Sequence, residues 1–159
     1  MNVALKAMLD PGDEAIVLVP YFPEYRFYIE NHGGRVVPVE TDEAFQPDPD
    51  RIAAAITPRT KALVVNSPNN PTGAVYSEQA LAKLGALAAV WPDLTVLSDE
   101  PYRALVFDGR EAPALRGDGL VVAVRLVDLP VHRLDGIEPI GGVEHLRSTV
   151  DRGFELRSC

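Results

Sequence analysis

Cysteine is almost absent from this chain, whose 159 residues contain a single thiol at Cys159. One cysteine cannot form an intrachain disulfide, so the sequence excludes a disulfide-stabilised scaffold and indicates a cytoplasmic location. The sequence also lacks an apolar run of the roughly 18 residues that span a bilayer, and its N-terminus lacks the pattern of a signal peptide. We therefore expect a cytoplasmic protein that has no contact with membranes.

Positive charge is also scarce, since 15 lysines and arginines stand against 23 aspartates and glutamates and give a net charge of -8. Nucleic acids and anionic membranes require a basic surface, so neither is expected as a partner. The three histidines, His32, His132 and His145, do not have the spacing of metal ligands, and no metal site is expected. A hydrophobic content of 47% and a charged content of 24% are typical of a globular protein with a substantial core.

Short apolar runs alternate with helical patterns over about the first 109 residues. The apolar runs predict strands at 15–19, 35–39, 61–65 and 94–97. The other segments predict helices at 1–9, at 23–31 and, after an N-cap at Asp48, at 49–56. Ser77 caps a longer predicted helix, whose apolar stripe consists of Leu81, Leu84, Leu87, Ala88 and Trp91. This alternation is typical of an α/β fold, in which a mostly parallel sheet is flanked by helices and joined by right-handed crossovers.

The pattern changes after Pro113, which divides the chain into a predicted domain at 1–113 and a divergent tail at 114–159. The tail contains one further predicted strand at 120–127 and a short predicted helix at 138–150. Its richness in Arg, Val, Leu and Gly is typical of out-of-frame translation of a GC-rich gene. Such a frameshift is a hypothesis that sequencing of the locus would test.

Two polar segments follow neighbouring predicted strands and carry the chemistry of the chain. The sequence NSPNNPTG at 66–73 follows one strand, and SDEPYR at 98–103 follows the next. In open α/β sheets, ligands bind at the carboxyl ends of the strands, so both segments are predicted to lie at the binding edge. Pro71 restricts the backbone of Asn70 and Gly73 permits a tight turn, so the loop can hold the Asn70 amide toward a ligand oxygen. The alternative is a structural turn, because Asn, Pro and Gly are common turn residues.

Asp99 is the main candidate in the second segment. A carboxylate at the end of a buried strand is desolvated and needs a cation or a hydrogen-bond donor, such as the N–H of a pyridinium ring; the alternative is a helix cap or a salt bridge. Tyr102 lies three residues further on, and its hydroxyl can bond a phenolic oxygen of the same ring; the alternative is a packing aromatic. A third loop at 20–25 contains Phe22, which can stack on a planar ligand or pack in the core.

Together these motifs closely resemble those of the class I and II aminotransferases, which are pyridoxal-phosphate enzymes of fold type I. The resemblance covers about residues 1–113 and rests on four segments, NxPxNPTG at 66–73, SDEPY at 98–102, DPGDE at 10–14 and PYFPEY at 20–25. It implies a truncated large domain of that fold. The family activity would be transfer of an amino group between an amino acid and a 2-oxo acid through pyridoxal 5′-phosphate. The resemblance also implies a homodimer.

The resemblance implies roles for four residues. Asn70 and Tyr102 would bond the phenolic oxygen of the cofactor from two sides, and Asp99 would pair with the pyridine nitrogen. Phe22 would stack on the ring, with Tyr21 as a less favoured candidate. A carbon–sulfur lyase or a cyclopropane-forming synthase would use the same cofactor pocket, so the reaction stays open between these activities and amino transfer.

Three features of the family are missing from the chain. The loop that cradles the cofactor phosphate would precede Met1, and the small domain, with its arginine for the substrate carboxylate, has no counterpart. The family's Schiff-base lysine follows the aspartate strand, whereas the lysines of this chain, Lys6, Lys61 and Lys83, all precede Asp99. We therefore expect an inactive fragment that contains no catalytic residue. The alternative is a non-catalytic module that pairs with an intact paralogue.

Overall fold

The computed structural model describes residues 1–107, 111–115 and 121–124. Within these residues, the strands are β1 (Glu14–Val19), β2 (Arg35–Glu40), β3 (Thr60–Asn66), β4 (Thr95–Asp99) and β5 (Val121–Val124). The helices in the same ranges are α1 (Asn2–Met8), α2 (Glu24–Glu30), α3 (Pro49–Ala55) and α4 (Glu78–Val90). None of these described helices has the length and apolar content that crossing a membrane would need.

The strands form one parallel sheet in the order β2-β1-β3-β4-β5, which confirms the predicted α/β fold class. The chain places β2 on one side of β1 and then builds β3, β4 and β5 on the other side. The strand order therefore reverses between β1 and β3. Such a switch point opens a crevice at the carboxyl ends of the two strands, and the loops that leave β1 and β3 flank this crevice.

Most predicted boundaries agree with the structure to within two residues, but one prediction about α4 is wrong. Trp91 does not belong to the buried stripe of this helix, because α4 ends at Val90 and the Trp91 side chain is 40% exposed. Pro92 explains this end, since a residue that precedes proline is disfavoured in the helical conformation. The strand predicted at 120–127 is described as β5, which pairs with β4. The helix predicted at 138–150 lies outside the described residues.

Helices cover both faces of the sheet, and alternate residues of each strand point to opposite faces. In β3, Leu63 and Val65 pack with α3 and α4, whereas Ala62 and Val64 pack on the other face with α1 and α2. Burial on both faces explains why the central strands are continuous apolar runs in the sequence. The sheet is thus a rigid platform for the loops at its carboxyl edge.

Asp48 caps α3, as the sequence predicts, and this cap can be tested. Its carboxylate accepts hydrogen bonds from the main-chain N–H groups of Asp50 at 3.0 Å and Arg51 at 3.3 Å. Asp48→Ala is expected to lower the free energy of unfolding by about 1 kcal/mol in urea denaturation, because two N–H groups lose their acceptor. Asp50→Ala keeps the cap and serves as the control. Equal stability of the two variants would contradict the assignment of the cap to Asp48.

Candidate functional site

The ends of two neighbouring strands meet at the predicted binding edge. β3 and β4 pair so that their last residues, Asn66 and Asp99, lie opposite each other. The loops that follow these residues therefore begin side by side. The loop after β3 also borders the crevice between β1 and β3.

The structure brings Asn70 and Tyr102 together. The Nδ2 atom of Asn70 donates a hydrogen bond to the hydroxyl of Tyr102 over 3.2 Å. Asn70 is half-buried and Tyr102 is exposed, so a ligand oxygen can approach both groups. An amide N–H and a phenol O–H at this spacing can donate to the same oxygen atom. That Asn70 and Tyr102 bond the phenolic oxygen of a cofactor remains a prediction.

Asp99 contacts a residue that sequence reasoning did not include among the candidates. The hydroxyl of Tyr25 donates a hydrogen bond to Oδ2 of Asp99 over 2.5 Å. Tyr25 belongs to α2 and is only 2% exposed. Burial, and then the charge of Asp99, raise the pKa of Tyr25 far above its ordinary value. The hydroxyl therefore keeps its proton and remains a donor.

Burial also raises the pKa of the Asp99 carboxyl above its ordinary value. The hydrogen bond from Tyr25 and the positive N-terminus of Met1 lower this pKa, while the charge of Glu100 raises it. Because the desolvation outweighs these favourable contacts, the ionised form of Asp99 is incompletely stabilised by the protein. A cationic N–H placed against the carboxylate would add the missing stabilisation.

Phe22 joins this group through Tyr25. The two rings meet edge to face, with centroids 5.7 Å apart and an interplanar angle of 81°. Phe22 is half-buried, and like Tyr21 it packs against the apolar cluster on the α1 and α2 face of the sheet. Phe22 and Asp99 therefore contact the same tyrosine. Stacking of Phe22 on a planar ligand remains a prediction.

A cavity of about 510 Å³ opens beside Asn70 and Tyr102. Pro68, Leu105 and Phe107 form much of its apolar wall. Its volume lies in the range of small-molecule sites. The cavity adjoins the Asn70 and Tyr102 side of the edge, because neither Asp99 nor Phe22 contributes to its wall.

The fold and these groups together define a class of protein. An open parallel sheet carries, at the carboxyl ends of its strands, a partly desolvated carboxylate, an adjacent amide and phenol, and a half-buried aromatic ring. These groups complement a flat aromatic ligand that has a basic ring nitrogen and an oxygen substituent. The arrangement is that of a cofactor-binding α/β domain.

Comparison with known proteins identifies the family. The family model described as aminotransferase class I and II matches residues 1–129, and this chain belongs to that family. Aminotransferases of this family depend on pyridoxal phosphate. The match confirms that the motifs resemble those of this family.

Two curated relatives illustrate the similarity. Aspartate/prephenate aminotransferase from Thermus thermophilus is 57% identical over 106 residues, which cover 65% of this chain and 27% of that protein. Aspartate aminotransferase from Bacillus subtilis is 38% identical over 108 residues, which cover 67% of this chain and 27% of that protein. The chain thus spans about a quarter of the length of the curated relatives it matches.

Solved structures show the same fold. An aromatic aminotransferase from Pyrococcus horikoshii matches with a TM-score of 0.72 and 32% identity, over 78% of this chain and 34% of that chain. A tetra mutant of Thermus thermophilus aspartate aminotransferase matches with a TM-score of 0.68 and 48% identity, over 78% of this chain and 34% of that chain. The parallel sheet and its helices therefore correspond to part of an aminotransferase of fold type I.

Proposed function

We propose that this chain provides the ring-binding edge of a pyridoxal-phosphate-dependent aminotransferase. The environment of the Asp99 carboxylate is the observation that supports this function most directly. This carboxylate is partly desolvated, is contacted by the neutral hydroxyl of Tyr25, and stands at the edge where open α/β sheets bind ligands. A carboxylate whose desolvation is not fully offset is destabilising, so its presence here favours a cationic ligand group.

The residues at this edge fit the ring of pyridoxal phosphate. Asp99 would accept a hydrogen bond from the ring nitrogen and keep a proton on it, while Asn70 and Tyr102 would donate to the phenolic oxygen. Phe22 would contact the face of the ring. When bound, the cofactor supplies an electron sink for the carbon from which the amino group is transferred. Among the described residues, no cluster of His, Cys, Asp and Glu has the arrangement of a metal site.

We propose further that these 159 residues do not transfer amino groups by themselves. Lys6 and Lys83 are exposed on helices, and Lys61 pairs with Asp93 over 3.6 Å. Lys61 is the second residue of β3, so it lies near the amino end of the strand, whereas Asn66 lies at its carboxyl end. No lysine follows Asp99, where the family carries the lysine that forms the Schiff base. The homodimer, the cytoplasmic location and the division of the chain at Pro113 also remain predictions.

Binding and turnover can be measured separately on the full chain. The probe is pyridoxamine 5′-phosphate, because it lacks the aldehyde that would react with surface lysines. Equilibrium dialysis is expected to show weak, saturable binding, while assays with pyridoxal phosphate, an amino acid panel and 2-oxo acids are expected to show no amino transfer. Absence of binding at millimolar ligand would contradict the ring site. Amino transfer above the rate without protein would contradict the predicted inactivity.

A further inference from the structure

The side chain of Asn66 connects the two loops that carry Asn70 and Asp99. Its Nδ2 donates a hydrogen bond to the main-chain oxygen of Asp99 over 2.9 Å, and its Oδ1 accepts one from the main-chain N–H of Asn70 over 2.7 Å. Asn66 is 4% exposed, so water does not compete freely for these bonds. One amide group therefore contacts both segments of the proposed ring site.

The place of Asn66 explains why these contacts need a side chain. β3 and β4 end where Asn66 faces Asp99, and the regular pairing of main-chain groups stops there. The carbonyl of Asp99, the last residue of β4, and the N–H of Asn70, in the loop after β3, lie where this pairing stops and require other partners. Asparagine suits this position because its short side chain carries both a donor and an acceptor. Aspartate has only acceptors when ionised, and alanine has neither group.

We infer that Asn66 is a positioning residue, which sets the distance between the side-chain amide of Asn70 and the carboxylate of Asp99. This inference rests on the proposed function, in which those two groups bind two polar atoms of one rigid ring. A rigid ligand does not adjust to a displaced partner, so a small shift between the loops weakens both contacts at once. Asn66 itself would not touch the ligand.

Two substitutions separate the bonds of Asn66. Asn66→Ala removes both, whereas Asn66→Asp keeps an acceptor for the N–H of Asn70 and loses the donor to Asp99. Thr60→Val is the matched control, since Thr60 lies at the opposite end of β3, is 2% exposed, and uses its hydroxyl to bond the main-chain N–H of Thr57 and the carboxylate of Glu14. The control perturbs the same strand without touching the ring site.

Two measurements on the full-length variants test the inference. The first is amide hydrogen exchange at Asn70 by NMR, with Leu63 as an internal reference for the fold. The second is the affinity for pyridoxamine 5′-phosphate by equilibrium dialysis. Asn66→Ala is expected to speed exchange at Asn70 and to lower affinity, each by about 10-fold or more. Asn66→Asp is expected to keep Asn70 protected but to lose affinity, and Thr60→Val to change neither quantity.

The outcomes distinguish this inference from the proposed function. Unchanged exchange at Asn70 in Asn66→Ala would overturn the positioning role, whether or not the affinity for pyridoxamine 5′-phosphate changes. The role would also be overturned if a variant exchanged the main-chain N–H of Asn70 faster but bound pyridoxamine 5′-phosphate with unchanged affinity. A third outcome is that the unsubstituted chain binds no pyridoxamine 5′-phosphate, while Asn66→Ala still speeds exchange of the main-chain N–H of Asn70. In that case the hydrogen bonds of Asn66 to the two loops are supported, and the proposed function fails.

Discussion

Asp99→Asn is expected to weaken binding of pyridoxamine 5′-phosphate to the full chain by about 10- to 100-fold, because a charge-assisted hydrogen bond becomes a neutral one. The same substitution is expected to raise the free energy of unfolding at pH 7. Partial solvent exposure screens the carboxylate, so the gain is limited to about 1 kcal/mol or less. Both effects have one cause, which is that a charge useful for binding occupies a partly desolvated position.

The stability effect has a defined direction with pH. Burial raises the folded-state pKa of Asp99 above its ordinary value of 3.8, so ionisation of Asp99 favours the unfolded state. This destabilisation is absent below about pH 4 and complete once the pH exceeds the folded-state pKa. The stability gained through Asp99→Asn should therefore grow from acidic to neutral pH in a series of urea denaturation curves.

Asp93→Asn is the matched control for this prediction. Asp93 is also an aspartate, but its side chain is 81% exposed and pairs with Lys61 over 3.6 Å. An exposed ion pair of this kind contributes about 0–1 kcal/mol, so little change in stability and none in affinity is expected. If Asp99→Asn bound the ligand as tightly as the unsubstituted chain, or were less stable than it at pH 7, the role proposed for Asp99 would be wrong.

Much of the fold could be predicted because its signals are local. Residues 62–65 are a continuous apolar run because β3 is buried on both faces, and Asp48 and Pro49 mark the start of α3 through a cap and a fixed φ. The prediction for Trp91 is wrong because apolar periodicity continues past the point where Pro92 ends the helix. Strand order is not a local property, and no periodicity places β2 on the far side of β1.

The candidate site was predictable only where a residue directly follows a strand. Asp99 and Asn70 stand at such places, whereas Tyr25 reaches Asp99 from 74 positions earlier in the chain. A signal for Tyr25 was available, since it belongs to the same PYFPEY segment at 20–25 as Phe22. The bonds of Asn66 go to main-chain atoms, which no side-chain pattern reveals.

Tyr25→Phe is expected to lower the free energy of unfolding at pH 7 by about 1.5–3 kcal/mol, because a hydrogen bond to a charged carboxylate is lost. The ring contact with Phe22 would remain. Tyr25→Ala is expected to cost about 3–5 kcal/mol, since it also leaves a cavity where the side chain is 2% exposed. Urea denaturation of the full chain measures both losses.

The loss caused by Tyr25→Phe should shrink as the pH falls. The Tyr25 hydroxyl lowers the folded-state pKa of Asp99, so its contribution is complete when Asp99 is ionised and declines as Asp99 takes up a proton. Tyr76→Phe is the matched control, because Tyr76 is 1% exposed and the pKa of its hydroxyl responds to burial and to the neutral side chain of Asn69 rather than to a carboxylate. Burial raises the pKa of Tyr76 to about 12, so its contribution should not vary below neutral pH.

A double-mutant cycle then isolates the bond between Tyr25 and Asp99. In the Asp99→Asn background, Tyr25 faces a neutral amide, and the loss caused by Tyr25→Phe should fall to about 1 kcal/mol. Equal losses in both backgrounds would contradict a bond to an ionised carboxylate and would leave Tyr25 as a packing residue only. If Tyr25→Phe lowers the free energy of unfolding less in the Asp99→Asn background, Tyr25 stabilises the charge that is proposed to bind the ring nitrogen. This buried tyrosine is then part of the site.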